Sequence, residues 1–137
     1  MLITHETVKR VRYGETDQMG YLYYGHYALY YEIGRVELLR SLGQTYAELE
    51  DRRGIMMPVL SLQSRYVRPA RYDELLTIRT ELRRLPASDI TFHYELRSPS
   101  GKLVNGGSTR LCFVEREGGR RVACPASLMA VLRSHFE

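Results

Sequence analysis

The residues that decide the fold are GETDQMGYLYYGHYALYYEIGRVELLRSLG, positions 14–43. The first seven bring two glycines and an aspartate together, a composition typical of a loop. From Tyr23 to about Leu42, apolar and aromatic residues recur at steps of three and four. This spacing predicts a helix of about five turns with one broad buried face. Gly34 lies inside this helix, where glycine is unfavourable, and so indicates close approach by another backbone.

The rest of the chain predicts one strand before this helix and an antiparallel sheet after it. Residues 7–13 alternate as a first strand does, and a capping box at Thr45 and Glu48 opens a short helix. The later strands are predicted at 55–67, 75–85, 90–96, 102–115 with a bulge at its two adjacent glycines, and 121–124, before a last helix that starts at Pro125. We expect an α+β fold in which the sheet curls around the long helix. An exposed edge strand also predicts a dimer.

Composition bounds the class of protein. A chain of 137 residues with 44% apolar and 26% charged residues is typical of a single globular domain, here residues 1–137. We find neither an apolar run long enough to cross a bilayer nor a secretory signal, and therefore expect a cytoplasmic protein. The two cysteines lack metal-ligand spacing. The net charge of +4 suits a nucleic acid or a polyanionic small ligand, although no nucleic-acid-binding motif is present.

Reactive groups are dense only within positions 14–37. Asp17 lies in a glycine-flanked turn six residues before Tyr23, where the helix is predicted to begin. Free backbone N–H groups at a helix start can hold a carbonyl oxygen that gains negative charge, and a nearby carboxylate can activate water or attack an ester carbon. The alternative is structural, because an aspartate between glycines is usually a turn residue and a tyrosine-rich helix face is usually core or interface.

A resemblance to a known family favours the catalytic interpretation. The motif reads Tyr13, Thr16-Asp17, Gly20, Tyr23, Tyr27, Tyr31-Glu32, Arg35 and Leu39, and a second stretch covers 59–82 with its Pro69–Asp73 turn. Both resemble the 4-hydroxybenzoyl-CoA thioesterase family, which includes the Tol–Pal-associated acyl-CoA thioesterases. The resemblance covers about residues 6 to 116. It implies a hotdog fold, in which a five- or six-stranded antiparallel sheet wraps a long central helix.

The same resemblance implies an activity and a site. The expected reaction is hydrolysis of a fatty or aromatic acyl-CoA, without metal or cofactor, in a homodimer that often pairs into a homotetramer. Asp17 matches the catalytic aspartate, as general base or nucleophile, and the backbone N–H near Tyr24 and Gly25 would polarise the carbonyl. Some members carry histidine where this chain has Tyr24, and His26 stands two positions later. We include His26 among the catalytic residues, with its role unassigned.

The substrate contacts follow from the same comparison of residues. We expect Tyr23, Tyr27, Glu32 and Arg68 to contact substrate. Other arginines that could hold the CoA phosphates, by strand location, are Arg65, Arg83 and Arg84.

Two other functions share this fold class. Hotdog dehydratases and hydratases carry a His-Phe-Pro or an Asp-x-Asn-x-x-His run, and neither occurs here. A non-catalytic protein that binds acyl-CoA or acyl-carrier protein, or acts as a scaffold in lipid or envelope metabolism, remains the alternative. Loss of the acid would favour it, whereas Asp17 is present.

Overall fold

The computed structural model describes residues 2–52 and 54–136. Its strands are β1 (Ile3–Arg10), β2 (Ile55–Met56), β3 (Val59–Tyr66), β4 (Leu75–Leu82), β5 (Asp89–Arg97), β6 (Leu103–Glu115) and β7 (Arg121–Val122). Its helices are α1 (Tyr27–Ser41), α2 (Tyr46–Arg52) and α3 (Ala126–Phe136), with short 3₁₀ turns at Tyr13–Glu15 and Tyr24–His26. No helix among these residues is long and apolar enough to cross a membrane.

The sheet is antiparallel, and its five long strands lie in the order β1-β4-β5-β6-β3. The two-residue strands β2 and β7 pair with the end of β6 and bring the number to seven, beyond the five or six expected. Helix α1 packs against β1, β4 and β5. The α+β prediction is confirmed, with the long helix on one face of the sheet.

The inner face of the sheet and the buried face of α1 form the core. Strand β5 alternates buried and half-buried residues along its whole length, as a strand with one covered face must. Gly34 lies where an added Cβ would meet the side chains of Thr80 and Ile78 on β4. The close approach predicted at Gly34 is therefore present, but side chains rather than a backbone make it.

Several predicted boundaries were wrong for identifiable reasons. The first strand spans Ile3–Arg10 rather than 7–13, because the chain turns into a 3₁₀ helix at Tyr13. The strand predicted over 55–67 is interrupted before β3 at Pro58, which has no N–H to donate to a ladder. The long helix starts as a 3₁₀ turn and becomes α-helical only at Tyr27.

The bulge predicted at the two glycines of β6 is also absent. Gly106 and Gly107 pair in regular register with β3 and β5. Gly107 instead makes room, because a Cβ there would meet the hydroxyl of Tyr31 and the carbonyl oxygen of Gln63.

Candidate active site

The loop that carries Asp17 is held by its own carboxylate. Oδ1 of Asp17 accepts hydrogen bonds from the backbone N–H of Met19 at 2.9 Å and of Tyr21 at 3.1 Å. The Asp17 backbone adds a bond from its N–H to the Tyr21 carbonyl at 2.8 Å. No donor among the described residues reaches the second carboxylate oxygen. One oxygen therefore fixes the turn while the other is available for chemistry.

Glu15 anchors the start of this loop, a role that the sequence did not indicate. Its Oε1 accepts from the Lys9 ammonium at 2.9 Å, the Tyr30 hydroxyl at 2.8 Å and the Arg12 N–H at 2.8 Å. Burial raises the pKa of Glu15, but these bonds outweigh burial and leave the pKa below its ordinary value. The anchor ties the loop to β1 and α1, two residues from Asp17.

Asp17 opens onto a cavity of about 310 Å³ between the loop, the start of the long helix and the end of β3. The lining is mostly apolar and aromatic, with one acid and one arginine. It consists of Asp17, Met19, Tyr21, Leu22, Tyr24, Tyr27, Tyr66, Val67, Arg68 and Pro69. Such a cavity, with few polar groups that converge, is typical of a small-molecule site.

Three of the tyrosines that line the cavity form one aromatic wall. The Tyr66 ring meets Tyr27 edge-on at a centroid distance of 5.4 Å and Tyr24 at 6.3 Å. Tyr27 is buried, and burial raises its pKa to about 12, so its hydroxyl stays protonated at neutral pH. Sequence reasoning missed Tyr66, because a strand residue gives no sign that its end of the sheet meets a helix start.

The helix start beside the cavity has free donors. Tyr24 is the first residue of the 3₁₀ turn, and neither its N–H nor that of Gly25 donates to an acceptor among residues 2–52 and 54–136. The His26 N–H closes the turn on the Tyr23 carbonyl at 2.9 Å. Unpaired N–H groups at a helix start carry partial positive charge and suit a developing oxyanion.

Four of the eight predicted site residues line this cavity, namely Asp17, Tyr24, Tyr27 and Arg68. The others lie outside its lining: Tyr23, Gly25, His26 and Glu32. The ring of Tyr23 covers Gly25, whose Cβ would lie 2.7 Å from the Tyr23 Cε2. The neighbouring Tyr24 hydroxyl, and to a lesser degree the Asp17 carboxylate, raise the pKa of Tyr23.

His26 packs edge-on against the Tyr23 ring at a centroid distance of 6.1 Å. Its Nδ1 is shielded from solvent and has no hydrogen-bond partner in the described chain. A 3₁₀ turn has three residues per turn, so His26 points well away from the direction of Tyr24.

Glu32 is exposed on α1 and forms no ion pair with Arg35. Arg35 turns inward instead, is only 6% exposed, and donates from Nε to the Tyr46 hydroxyl at 2.9 Å. Arg83, one of the arginines considered for phosphate, pairs with Glu81 at 3.1 Å. Within the described residues no three metal-ligating side chains converge.

Comparison with known proteins identifies the class of protein to which this fold and cavity belong. The model of the thioesterase-like superfamily matches residues 11–132, and the chain belongs to that superfamily. It is 32% identical over 121 residues to the acyl-CoA thioesterase YbgC of Haemophilus influenzae, covering 88% of each chain. The predicted family is therefore confirmed.

Solved structures agree with the fold. The 1,4-dihydroxy-2-naphthoyl-CoA (DHNA-CoA) thioesterase of Staphylococcus aureus superposes with a TM-score of 0.91 at 26% identity, over 97% of this chain and 91% of that one. The 4-hydroxybenzoyl-CoA thioesterase of Pseudomonas sp. strain CBS-3 superposes with a TM-score of 0.85 over 93% of this chain and 98% of that one. At 21% identity, the second likeness speaks for the hotdog fold alone.

Proposed function

We propose that this protein hydrolyses the thioester of an acyl-CoA to the free acid and CoA, with a fatty or aromatic acyl group. The observation that carries the proposal is the Asp17 carboxylate, which has one oxygen bonded to the loop backbone and the other without a donor among the described residues. It faces an apolar cavity beside the free N–H groups of a helix start. Membership of the thioesterase-like superfamily and the names of its relatives support the same reaction class.

In this mechanism the acyl group lies against the tyrosine wall, and its carbonyl oxygen accepts from the backbone N–H at Tyr24 and Gly25. Asp17 acts by one of two routes. As a general base, it takes a proton from water while the water oxygen bonds to the carbonyl carbon. As a nucleophile, it attacks that carbon itself and water then cleaves the anhydride. In both, the C–S bond breaks and the CoA thiolate leaves and takes up a proton.

No histidine lines the cavity within the described residues, so Asp17 acts without a histidine partner in this scheme. Tyr27 donates a hydrogen bond but does not shuttle protons, because its pKa is about 12. Arg68 lines the cavity and binds a negatively charged group of the substrate in this scheme. Tyr23, Glu32 and His26 are proposed as more distant contacts with substrate.

We also propose that residues 1–137 act as one hotdog domain and assemble as a homodimer through β3, with a tetramer as a further association. Among the described residues strand β3 pairs only with β6, and Val59, Leu60 and Leu62 on it are each more than 40% exposed. An apolar edge with unpaired backbone groups favours pairing with a second copy. A solution mass equal to that of the monomer would contradict this. A cytoplasmic location and a link to Tol–Pal stay predictions.

The function is tested by measuring thiol release from straight-chain acyl-CoAs of graded length and from benzoyl-CoA. We expect turnover with at least one of them and loss of turnover in Asp17→Asn. Asp51→Asn is the matched control, because Asp51 is an exposed carboxylate on α2. Tight binding of every acyl-CoA without thiol release would favour the non-catalytic binding protein instead.

A further inference from the structure

The segment 68–74 contributes to two concavities. Its first residues, Arg68 and Pro69, line the Asp17 cavity. Its later residues, Tyr72 and Asp73, line a second cleft of about 490 Å³, which Tyr13 and the end of β1 complete. The segment is fixed between them, because the Asp73 N–H donates to the Val11 carbonyl at 2.9 Å. The two concavities are therefore neighbours on one rigid support.

The second cleft has an aromatic floor that the fold does not require. Tyr13 and Tyr72 are 78% and 56% exposed, and their rings meet edge-on at a centroid distance of 5.6 Å. Neither ring belongs to the buried core. In this edge-to-face pair at least one ring face stays open to solvent, and a nucleobase can stack on such a face without base-specific hydrogen bonds.

The rim of this cleft keeps positive charge. Lys9 is paired with Glu15 at 2.9 Å, and Arg10 lies 3.8 Å from the Asp73 carboxylate. Arg12 is exposed and pairs with no carboxylate among the described residues. Its planar guanidinium is the group that best matches a phosphate.

A further cation lies between the cleft and the Asp17 cavity. Arg71 sits over the ring of Tyr21, with its Cζ 5.0 Å from the ring centroid, and Tyr21 itself lines the cavity. Like Arg12 and Arg68, Arg71 has no carboxylate partner in the described part of the chain. These three arginines mark a path from the catalytic cavity to the aromatic cleft.

Three arginines on or next to β4 and β5 have carboxylate partners. Arg79 and Arg83 both pair with Glu81, at 3.3 and 3.1 Å, and Arg97 pairs with Glu95 at 3.2 Å. These three arginines offer a phosphate less uncompensated charge than those along segment 68–74.

We propose that the cleft between Tyr13 and Tyr72 binds the adenine-nucleotide end of the acyl-CoA, an inference that rests on the proposed thioesterase function. The adenine stacks on the open face of one tyrosine and meets the other ring edge-on, and the phosphates lie at Arg12 and Arg71. Tyr13 and Asp17 are four positions apart, which limits their Cα separation to about 14 Å. The flexible pantetheine arm of CoA can connect the cleft with a thioester placed at Asp17.

The test compares one acyl group carried on CoA with the same group carried on pantetheine, which lacks the nucleotide. We expect Tyr72→Ala and Arg12→Ala each to lower the ratio of kcat/KM for acyl-CoA to that for acyl-pantetheine by on the order of tenfold. The change should come through KM. Arg133→Ala, an exposed arginine on α3, serves as the control and should leave the ratio unchanged.

Titration with 3′,5′-adenosine bisphosphate gives a readout that is independent of turnover. We expect the wild type to bind it and each cleft variant to bind it about tenfold more weakly. An unchanged kcat/KM ratio, or equal binding by wild type and variants, would overturn the proposal. If the wild type cleaves neither thioester, the proposed function is wrong, and the titration alone then decides whether the cleft binds nucleotide.

Discussion

Replacing Asp17 by asparagine and by alanine separates its two roles. Asparagine keeps an oxygen that can accept from the N–H groups of Met19 and Tyr21, whereas alanine keeps neither bond. Both variants lose the carboxylate that faces the cavity. We therefore expect both to lose turnover, and only alanine to loosen the loop.

The magnitudes follow from these contacts. Removal of a general base lowers kcat by ~10²–10⁴-fold, and loss of a covalent nucleophile lowers it at least as much. Two lost hydrogen bonds on a half-exposed loop reduce the free energy of unfolding by ~1–2 kcal/mol. For a chain of this size that corresponds to a fall in Tm of about 3–8 °C.

The assay is thiol release at saturating acyl-CoA together with thermal unfolding of each variant. Asp17→Asn should unfold near the wild-type temperature and be inactive, and Asp17→Ala should be inactive and less stable. If Asp17→Asn kept more than about a tenth of the wild-type kcat, Asp17 would be neither base nor nucleophile. If both variants were equally stable, the carboxylate would not hold the turn.

Three further outcomes are expected. The folded-state pKa of Glu15 lies below its ordinary 4.5, so its contribution to stability is complete above pH 4.5 and is lost as the pH falls below that value. Glu15→Gln should therefore be less stable than the wild type at neutral pH, and the difference should shrink in acid. A difference in urea unfolding that stays constant with pH would contradict this. Gly107→Ala should lower the free energy of unfolding by ~1–3 kcal/mol, because its Cβ meets the Tyr31 hydroxyl. Gly106→Ala, whose Cβ has its nearest neighbour at 3.9 Å, should change it by less than about 0.5 kcal/mol. Equal losses in denaturant titrations would refute the packing argument. His26→Ala should alter KM more than kcat in steady-state kinetics, because His26 lies outside the cavity lining. A loss of kcat as large as that of the Asp17 variants would show a catalytic role for His26.

The sequence predicted the elements well where a local pattern decides them. One of the two bonds of the predicted Thr45 capping box is formed, from the Glu48 N–H to the Thr45 hydroxyl at 3.1 Å. The turn at Ser98–Gly101, between the strands predicted at 90–96 and 102–115, joins β5 to β6 with a bond of 2.8 Å from the Gly101 N–H to the Ser98 carbonyl. These features depend on neighbours in the chain, and neighbours are what a sequence shows.

The candidate site was predicted only in part, because it is built from distant segments. Asp17 and Arg68 are 51 positions apart, and the pattern of residues alone gave no reason to place them on one cavity. Tyr66 and Glu15 were missed for the same reason, since their partners lie on other elements. The bond from Arg35 to Tyr46 was not predicted either, because a helical pattern of charges does not show which residues turn inward toward a tyrosine.

The position of Tyr66 makes the edge of the sheet part of the Asp17 cavity. Strand β3 ends at Tyr66, and the ring of Tyr66 touches both tyrosines of the helix start. A second chain that pairs with β3 would therefore contact the strand that carries one wall of the cavity. If the proposed subunit contact forms through β3, mutations that tighten it and mutations that change the acyl group bound would both act on the strand that carries Tyr66, so quaternary structure and substrate range would be coupled.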